Sequence, residues 1–411
     1  MDASYNYRQN DGITRLPVEI WREILLFATA LSSPWDSLSD LIFDSNPKPG
    51  DDIFGWFDRS SNTVRRQAWW SSWQTKVAVV LTCTTWHDIG EAMLYENIRD
   101  ISKNHAPENI QDLLAPEWPS LSHNDSEPLI PLRKAHLVQR MDLWEERALP
   151  KLLSIALHCV NLNELRFATG YITEPESWQQ LYRTFASLTN LKVLIVHTLG
   201  QTAPESSAKV ILPRVKVLGL HTFRAISILA HWQLPSLRSL SLTCLDIEEM
   251  GAVFELHGHR LLSLSLAVML CPGSYALPIH TWCPLLKFFS CLRRYAFETF
   301  PILLSEHPSL QTLGMFSLHS LIDARAGPGM KLEANNSDRP REKLPKELQN
   351  LTRAQFPCLR VIRALRNSSL PISPGELAEN VYLDASVREH CRNEGLSIQD
   401  VWGEPLELVP T

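Results

Sequence analysis

Between residues 161 and 365 one short phrase recurs eight times, and nothing else in the chain limits its fold as strongly. The copies are Asn161–Phe167, Asn190–Val196, Arg214–Leu220, Ser236–Leu242, Arg260–Leu266, Leu285–Cys291, Ser309–Met315 and Cys358–Ala364. Each reads x-L-x-x-L-x-L in apolar terms. The first anchors stand at 162, 191, 215, 237, 261, 286, 310 and 359, so the gaps are 29, 24, 22, 24, 25, 24 and 49. The last gap is close to two periods. Apolar residues alternating at a period of two predict half-buried strands. One such unit cannot cover its own apolar face, whereas stacked copies cover each other.

The intervals contain helix-compatible stretches at Trp178–Phe185, Ala225–Trp232, Ile247–Leu256 and Phe297–Glu306. Proline stands two residues before five anchors (Pro213, Pro235, Pro284, Pro308, Pro357) and ends whatever helix precedes it. The period and the pattern resemble leucine-rich repeats. The predicted class is α/β: an irregular solenoid with a parallel sheet on its concave face and helices on its convex face. The asparagine ladder of regular repeats of this kind is mostly missing from the sequence. Residues 325–341 are polar and predict a projecting loop, with Lys343–Ala354 as the helix before the last clear strand. A weaker strand is expected at Leu137–Leu143. Asp384 is expected to cap a helix through His390 and Cys391 that Gly395 terminates, with one more strand at Ser397–Trp402.

Residues that alternate with the buried ones face the concave surface. The middle row there is Arg166, Ile195, Gly219, Ser241, Ser265, Ser290, Gly314 and Arg363, small in the centre and basic at both ends. The last row carries His197 and His221 on adjacent strands, and Phe316 further along. These positions are expected to be exposed. The candidate substrate-binding set is Arg166, His197, His221, Ser241, Ser265, Ser290, Phe316 and Arg363. Small residues also suit tight curvature alone, and that reading stands beside the functional one. Bulky replacements of the three serines are expected to weaken capture of a protein partner at unchanged stability.

Ahead of the repeats lies Leu16-Pro17-Val18-Glu19-Ile20-Trp21-Arg22-Glu23-Ile24-Leu25. Pro17 has no N–H and a helical φ, so it suits a helix start, and Glu19 suits the positive end of the helix dipole. Ile20, Trp21, Ile24, Leu25 and Ala28 are expected on one face, as an apolar stripe at the spacing of a 3.6-residue period. A polar stretch follows at about 31–62, rich in turn signals. A second helix is expected from about Thr63, through Trp69, Trp70 and Trp73 to Cys83, and a third from Thr85 through Trp86 and Leu94. The tract Leu94-Tyr95-Glu96-Asn97-Ile98 closes the unit.

The pattern L-P-x-E-I-W-x-x-I-L, then V-L-T-C-x-x-W-x-x-I-x-x-x-L-Y-E-x-I, resembles an F-box, in the form abundant in mushroom-forming fungi. The chain departs from the family in the long stretch between the halves and in Thr84, where a basic residue is usual. The resemblance implies that Leu16, Pro17, Ile20, Ile24 and Leu25 contact a Skp-family adaptor, with Trp86 and Leu94 in support. The adaptor would link the chain to a cullin. With the repeats holding an unknown protein substrate, the implied role is the substrate receptor of an SCF-type ubiquitin ligase, non-catalytic in itself. A non-catalytic leucine-rich-repeat scaffold, with or without adaptor binding and outside any ligase, is the alternative.

Organised in this way, the expected segments are 1–12 as a disordered start, 13–100 as the F-box and 101–145 as linker and first strand. The solenoid follows at 146–370 and a cap at 371–411.

No P-loop, G-x-G-x-x-G, H-E-x-x-H or G-x-S-x-G occurs, so no catalytic motif and no cofactor is expected. His257 and His259 stand two apart with no matching pair and read as loop histidines, not metal ligands. The net charge is −6, which gives no footprint for nucleic acid or an anionic membrane. No apolar run spans a bilayer, and Met1–Asp11 lacks the features of a signal peptide. Eight scattered cysteines without a C-x-x-C pair fit buried thiols in a reducing compartment, cytoplasmic or nuclear.

Overall fold

The computed structural model describes residues 17–29, 71–99, 134–144, 156–169, 175–198, 209–221, 226–244, 250–268, 278–293, 306–316, 351–365 and 385–399. The protein is α/β. Its strands form a single parallel sheet of eleven, ordered as they occur in the chain, an arrangement compatible with a solenoid-like repeat. The strands are β1 (Asn97–Arg99), β2 (Arg140–Trp144), β3 (Glu164–Thr169), β4 (Val193–Thr198), β5 (Val217–His221) and β6 (Ser239–Cys244). Then come β7 (Ser263–Val268), β8 (Phe288–Arg293), β9 (Thr312–Phe316), β10 (Val361–Leu365) and β11 (Ser397–Gln399). All eight phrases become strands, as do the two weaker candidates, now β2 and β11. The sequence did not reveal β1. Asn97 and Ile98 open the sheet instead of closing the helical unit, because Asn97, Ile98 and Arg99 pair with Arg140, Met141 and Asp142.

The eight first anchors, Leu162, Leu191, Val215, Leu237, Leu261, Leu286, Leu310 and Leu359, are all buried, and Val138 takes the same place before β2. Leu165, Leu194, Leu218, Leu240, Leu264, Phe289, Leu313 and Ile362 form the next row of one continuous core. Helical segments cover this face. Pro175–Ser187 contributes Tyr182 and Phe185, whose rings meet Trp232 edge-on at 6.2 and 5.9 Å. Met250–His257 contributes Phe254, which stacks on Trp282 at 5.3 Å.

Ile226–His231 is a 3-10 helix rather than an α-helix. It lies in the shortest gap, 22 residues, and a 3-10 turn spans more length per residue. Leu351–Ala354 are not helical: the Thr352 carbonyl accepts the N–H groups of Gln355 and Phe356 in a turn. The loop expected at 325–341, most of the expected helices at Phe297–Glu306 and Lys343–Ala354, and Asp384 lie outside the described residues.

One edge of the array carries a side-chain ladder that the sequence disguised. At five of the anchors the side chain just before the anchor bonds the backbone of the preceding unit. Asn161 donates to His136 O at 2.7 Å and Asn190 to Val160 O at 2.9 Å. Ser236 donates to Pro213 O at 2.6 Å, Arg260 to Pro235 O at 2.9 Å and Ser309 to Pro284 O at 2.6 Å. In each case the acceptor sits two residues before the preceding anchor. The prolines therefore do more than stop helices. They place a carbonyl where it is needed and bring no N–H to satisfy. Asparagine, serine and arginine share the work, so no single-letter ladder is visible.

The C-terminal helix, Ala385–Asn393, ends as predicted at Gly395, whose φ is 64°. Leu396 N–H donates to Cys391 O at 2.7 Å and Gly395 N–H to Arg392 O at 3.1 Å, a Schellman closure. Arg353 fastens this end to the preceding unit: its N–H donates to Glu394 Oε2 at 2.7 Å and its Nε to Glu394 O at 2.8 Å.

Candidate functional site

Two surfaces carry the residues singled out by the sequence. The first is built on α1 (Val18–Thr29), α2 (71–80) and α3 (Thr84–Glu96). The Pro17 carbonyl accepts the N–H groups of Ile20 and Trp21 at 3.0 and 3.1 Å, which starts α1 one residue beyond the proline. Successive residues on a helix are about 100° apart, so the broad apolar stripe contains two lines. Trp21 and Leu25 form the inner line. Leu25 is 3% exposed, and Trp21 meets Trp86 of α3 with ring centroids 5.5 Å apart. Ile20 and Ile24 form the outer line, 45% and 44% exposed, with Val18 and Pro17 also exposed. Leu81, in the turn after α2, is exposed as well.

The expected adaptor set is therefore divided by the fold. Pro17, Ile20 and Ile24 face outward. Leu25 is a correction: it is buried, because the helix turns that line onto its neighbours. Trp86 and Leu94 are half-buried, with Trp86 engaged by Trp21. Leu16 lies outside the described residues. Val18 and Leu81 are exposed apolar side chains that the sequence reading passed over. A one-residue offset from Ile20 and Ile24 was the available signal, since Trp21 and Leu25 hold the inward line.

The helical unit is joined to the sheet without a linker. α3 ends at Glu96 and β1 begins at Asn97, and Gln139 N–H donates to Glu96 O at 2.9 Å. Gly90 lets α2 approach closely, since a Cβ there would stand 3.0 Å from Val80 Cγ2. Lys134 pins α3 from the other side. Its Nζ is 2.6 Å from Glu91 Oε1, donates to the Tyr95 hydroxyl at 3.2 Å and lies 4.6 Å from the ring centre. Its hydrogen bond to Glu91 holds that carboxyl below its ordinary value.

The second surface is the sheet face opposite the leucine core. The expected register is present. Arg166 pairs with Ile195, Ile195 with Gly219, Gly219 with Ser241 and Ser241 with Ser265. Ser265 pairs with Ser290, Ser290 with Gly314 and Gly314 with Arg363. His197 and His221 are register partners, as the spacing implied. Phe316 pairs with Leu365 at the end of β9.

The exposure expected of this row is corrected. Ser241 and Ser290 are 0% exposed, and Ser265, Arg166, Arg363, Ile195 and Val193 are buried too. Parallel sheets are ordinarily covered on both faces, and the middle-row side chains of this one lie out of solvent. Bulky replacements of the serines would therefore be forced into buried positions, at a cost of about 1–3 kcal/mol each. They cannot report on binding at unchanged stability.

The arginines at the ends are held within the chain. Arg166 donates to Glu164 Oε2 at 3.4 Å, and Arg140 lies 3.7 Å from Glu164 Oε1. Arg363 donates to Gln399 Oε1 at 3.0 Å. In the floor, Ser290 donates to Ser265, while the hydroxyls of Ser239 and Ser241 are buried with no hydrogen-bond partner among the described residues.

His257 is not a loop histidine. It ends the helix Met250–His257, is buried, and has its Nε2 3.2 Å from Leu229 O. His259 is exposed and contacts Arg260. Among the described residues no group of three or more His, Cys, Asp or Glu side chains is placed to hold a metal ion. The thiols of Cys159 and Cys283 are buried, which pushes each up to about 12. No described helix is long and apolar enough to cross a membrane.

No family model matches the chain, and no curated protein matches it.

Proposed function

We propose that this protein is the substrate-receptor subunit of an SCF-type ubiquitin ligase, with an F-box at its N-terminus and leucine-rich repeats behind it. The observation that carries the reading is the outward line of Pro17, Ile20 and Ile24 on α1. That helix already satisfies its own packing through Leu25 and the Trp21–Trp86 pair. An apolar line left over after the core is complete is the form taken by helix-in-groove anchors, and a few such side chains carry most of an interface's energy. Its occupant in this reading is the Skp-family adaptor, which brings a cullin.

The receptor breaks no bond. It raises the local concentration of a protein substrate beside the transferring enzyme. The continuous joint from α3 into β1, with Lys134 across it, gives the adaptor-bound end a fixed geometry relative to the array that follows. The array is the substrate-holding part.

Co-purification with a Skp-family adaptor tests this. Ile20→Asp with Ile24→Asp is expected to abolish capture while the thermal unfolding of the chain is nearly unchanged. Full capture by the folded double variant would count against the docking line. No capture by the unaltered chain would leave a repeat-based scaffold outside any ligase.

A further inference from the structure

His307 is 0% exposed at the seam between the units of β8 and β9. Its Nε2 lies 3.0 Å from the Cys283 carbonyl oxygen. A carbonyl only accepts, so Nε2 carries the proton. Its Nδ1 is 3.3 Å from the Ser309 backbone N–H, which only donates, so Nδ1 offers its lone pair. Both ring nitrogens are committed, and only the neutral Nε2–H tautomer satisfies both partners. Ser309 Oγ donates to Pro284 O at 2.6 Å across the same seam, while the His307 N–H donates to Gln355 O at 3.0 Å in the unit that leads into β10.

Among the described residues no carboxylate is placed to accept a second imidazole proton. The ionisable side chain acting on the ring through space is His280, which disfavours added positive charge. Glu306 lies 3.9 Å from His280 Nε2 and is engaged there. The Cys283 thiol, on the residue whose carbonyl meets the ring, is kept neutral by burial.

We propose that this seam is a proton-sensitive joint: a proton arriving at Nδ1 expels the Ser309 N–H, and the array opens between β8 and β9 before it opens at β3 and β4. Burial chiefly, then the charge on His280, pushes the folded imidazole below its ordinary 6.5, against the opposing bond to Cys283 O. The unfolded chain therefore holds more protons in that window, and stability is lost as the pH falls below about 6.5. His257, at the Leu229 carbonyl, shifts in the same direction, chiefly through burial, with Arg260 and His259 nearby. It places a second acid-sensitive contact at the seam between the units of β6 and β7.

Hydrogen exchange read by mass spectrometry on the full chain tests this at pH 7.5 and 5.5, corrected for the intrinsic exchange rate. Protection of the β9 peptide is expected to fall on acidification by up to about tenfold, the ceiling for one imidazole at one pH unit below 6.5. Protection of β4 should change far less. His307→Gln keeps a donor toward Cys283 O but cannot titrate. It should lower β9 protection at pH 7.5 and remove the acid-dependent step. Unchanged β9 protection, an equal fall at β4, or an intact step in His307→Gln would overturn the proposal. If that variant fails to fold, β9 against β4 in the unaltered chain decides alone.

Discussion

Ser290 Oγ donates to Ser265 Oγ across 2.8 Å, tying β8 to β7 on the face opposite the leucine core. On β6 the hydroxyls of Ser239 and Ser241 have no such partner and are equally buried. The two situations differ in what a methyl replacement removes. Ser290→Ala strips the donor from a satisfied pair and should cost about 1 kcal/mol. Ser241→Ala removes a hydroxyl that is buried without a bond and should be neutral or slightly stabilising. Chemical denaturation of both variants checks this. A larger loss for Ser241→Ala would mean that its hydroxyl is engaged.

Leu25 and Ile24 are neighbours in sequence with opposite placements. Leu25→Ala opens a cavity and should cost about 2–5 kcal/mol. Ile24→Ala lies on the exposed line and should stay within about 0.5 kcal/mol. Equilibrium unfolding separates them, and equal losses would contradict the inward and outward division of α1.

Gly258 and Gly251 make a sharper pair. A Cβ on Gly258 would stand 2.4 Å from the Trp282 carbonyl oxygen, whereas one on Gly251 meets nothing nearer than Trp282 Cζ2 at 4.0 Å. Backbone cannot swing aside as a side chain can. Gly258→Ala should lower stability by about 1–3 kcal/mol, while Gly251→Ala, inside a helix, should be neutral or stabilising by up to about 1 kcal/mol. Thermal melts of the two variants measure the difference.

Asn190 tests the edge ladder. It donates to Val160 O at 2.9 Å and accepts from Arg214 Nη1 at 2.7 Å, so it links three consecutive units. Asn190→Ala should cost about 1 kcal/mol, and Asn190→Ser should recover part of it, since serine serves the same place at Ser236 and Ser309. No loss in the alanine variant would make the ladder incidental.

Much of the array was legible because the anchors keep a strand period in sequence and a repeat period between strands. Those two periods fix strand identity, parallel order and register, down to the pairing of His197 with His221. The ladder was less legible, because a carbonyl can be satisfied by any short or reaching donor. Asn161, Ser236 and Arg260 look unrelated as letters and do one job. β1 was missed since three residues, Asn97–Arg99, are too few to show alternation.

By itself the sequence determined that leucines at fixed intervals must stack, because no single unit can bury its own apolar face. It also determined where the chain turns, through Pro213, Pro235, Pro284 and Gly395. Only the tertiary structure decided which polar or apolar positions remain accessible. Alternation says that Ser241 and Ser290 point away from the leucines, yet it carries no information about what else closes over that face. Helical periodicity groups Ile20 with Trp21 and Ile24 with Leu25, yet only neighbouring helices decide which line is used up in packing. Local pattern follows from the chain's own geometry, whereas burial depends on partners distant in sequence, and here it separates the face that is closed from the line on α1 that is left open.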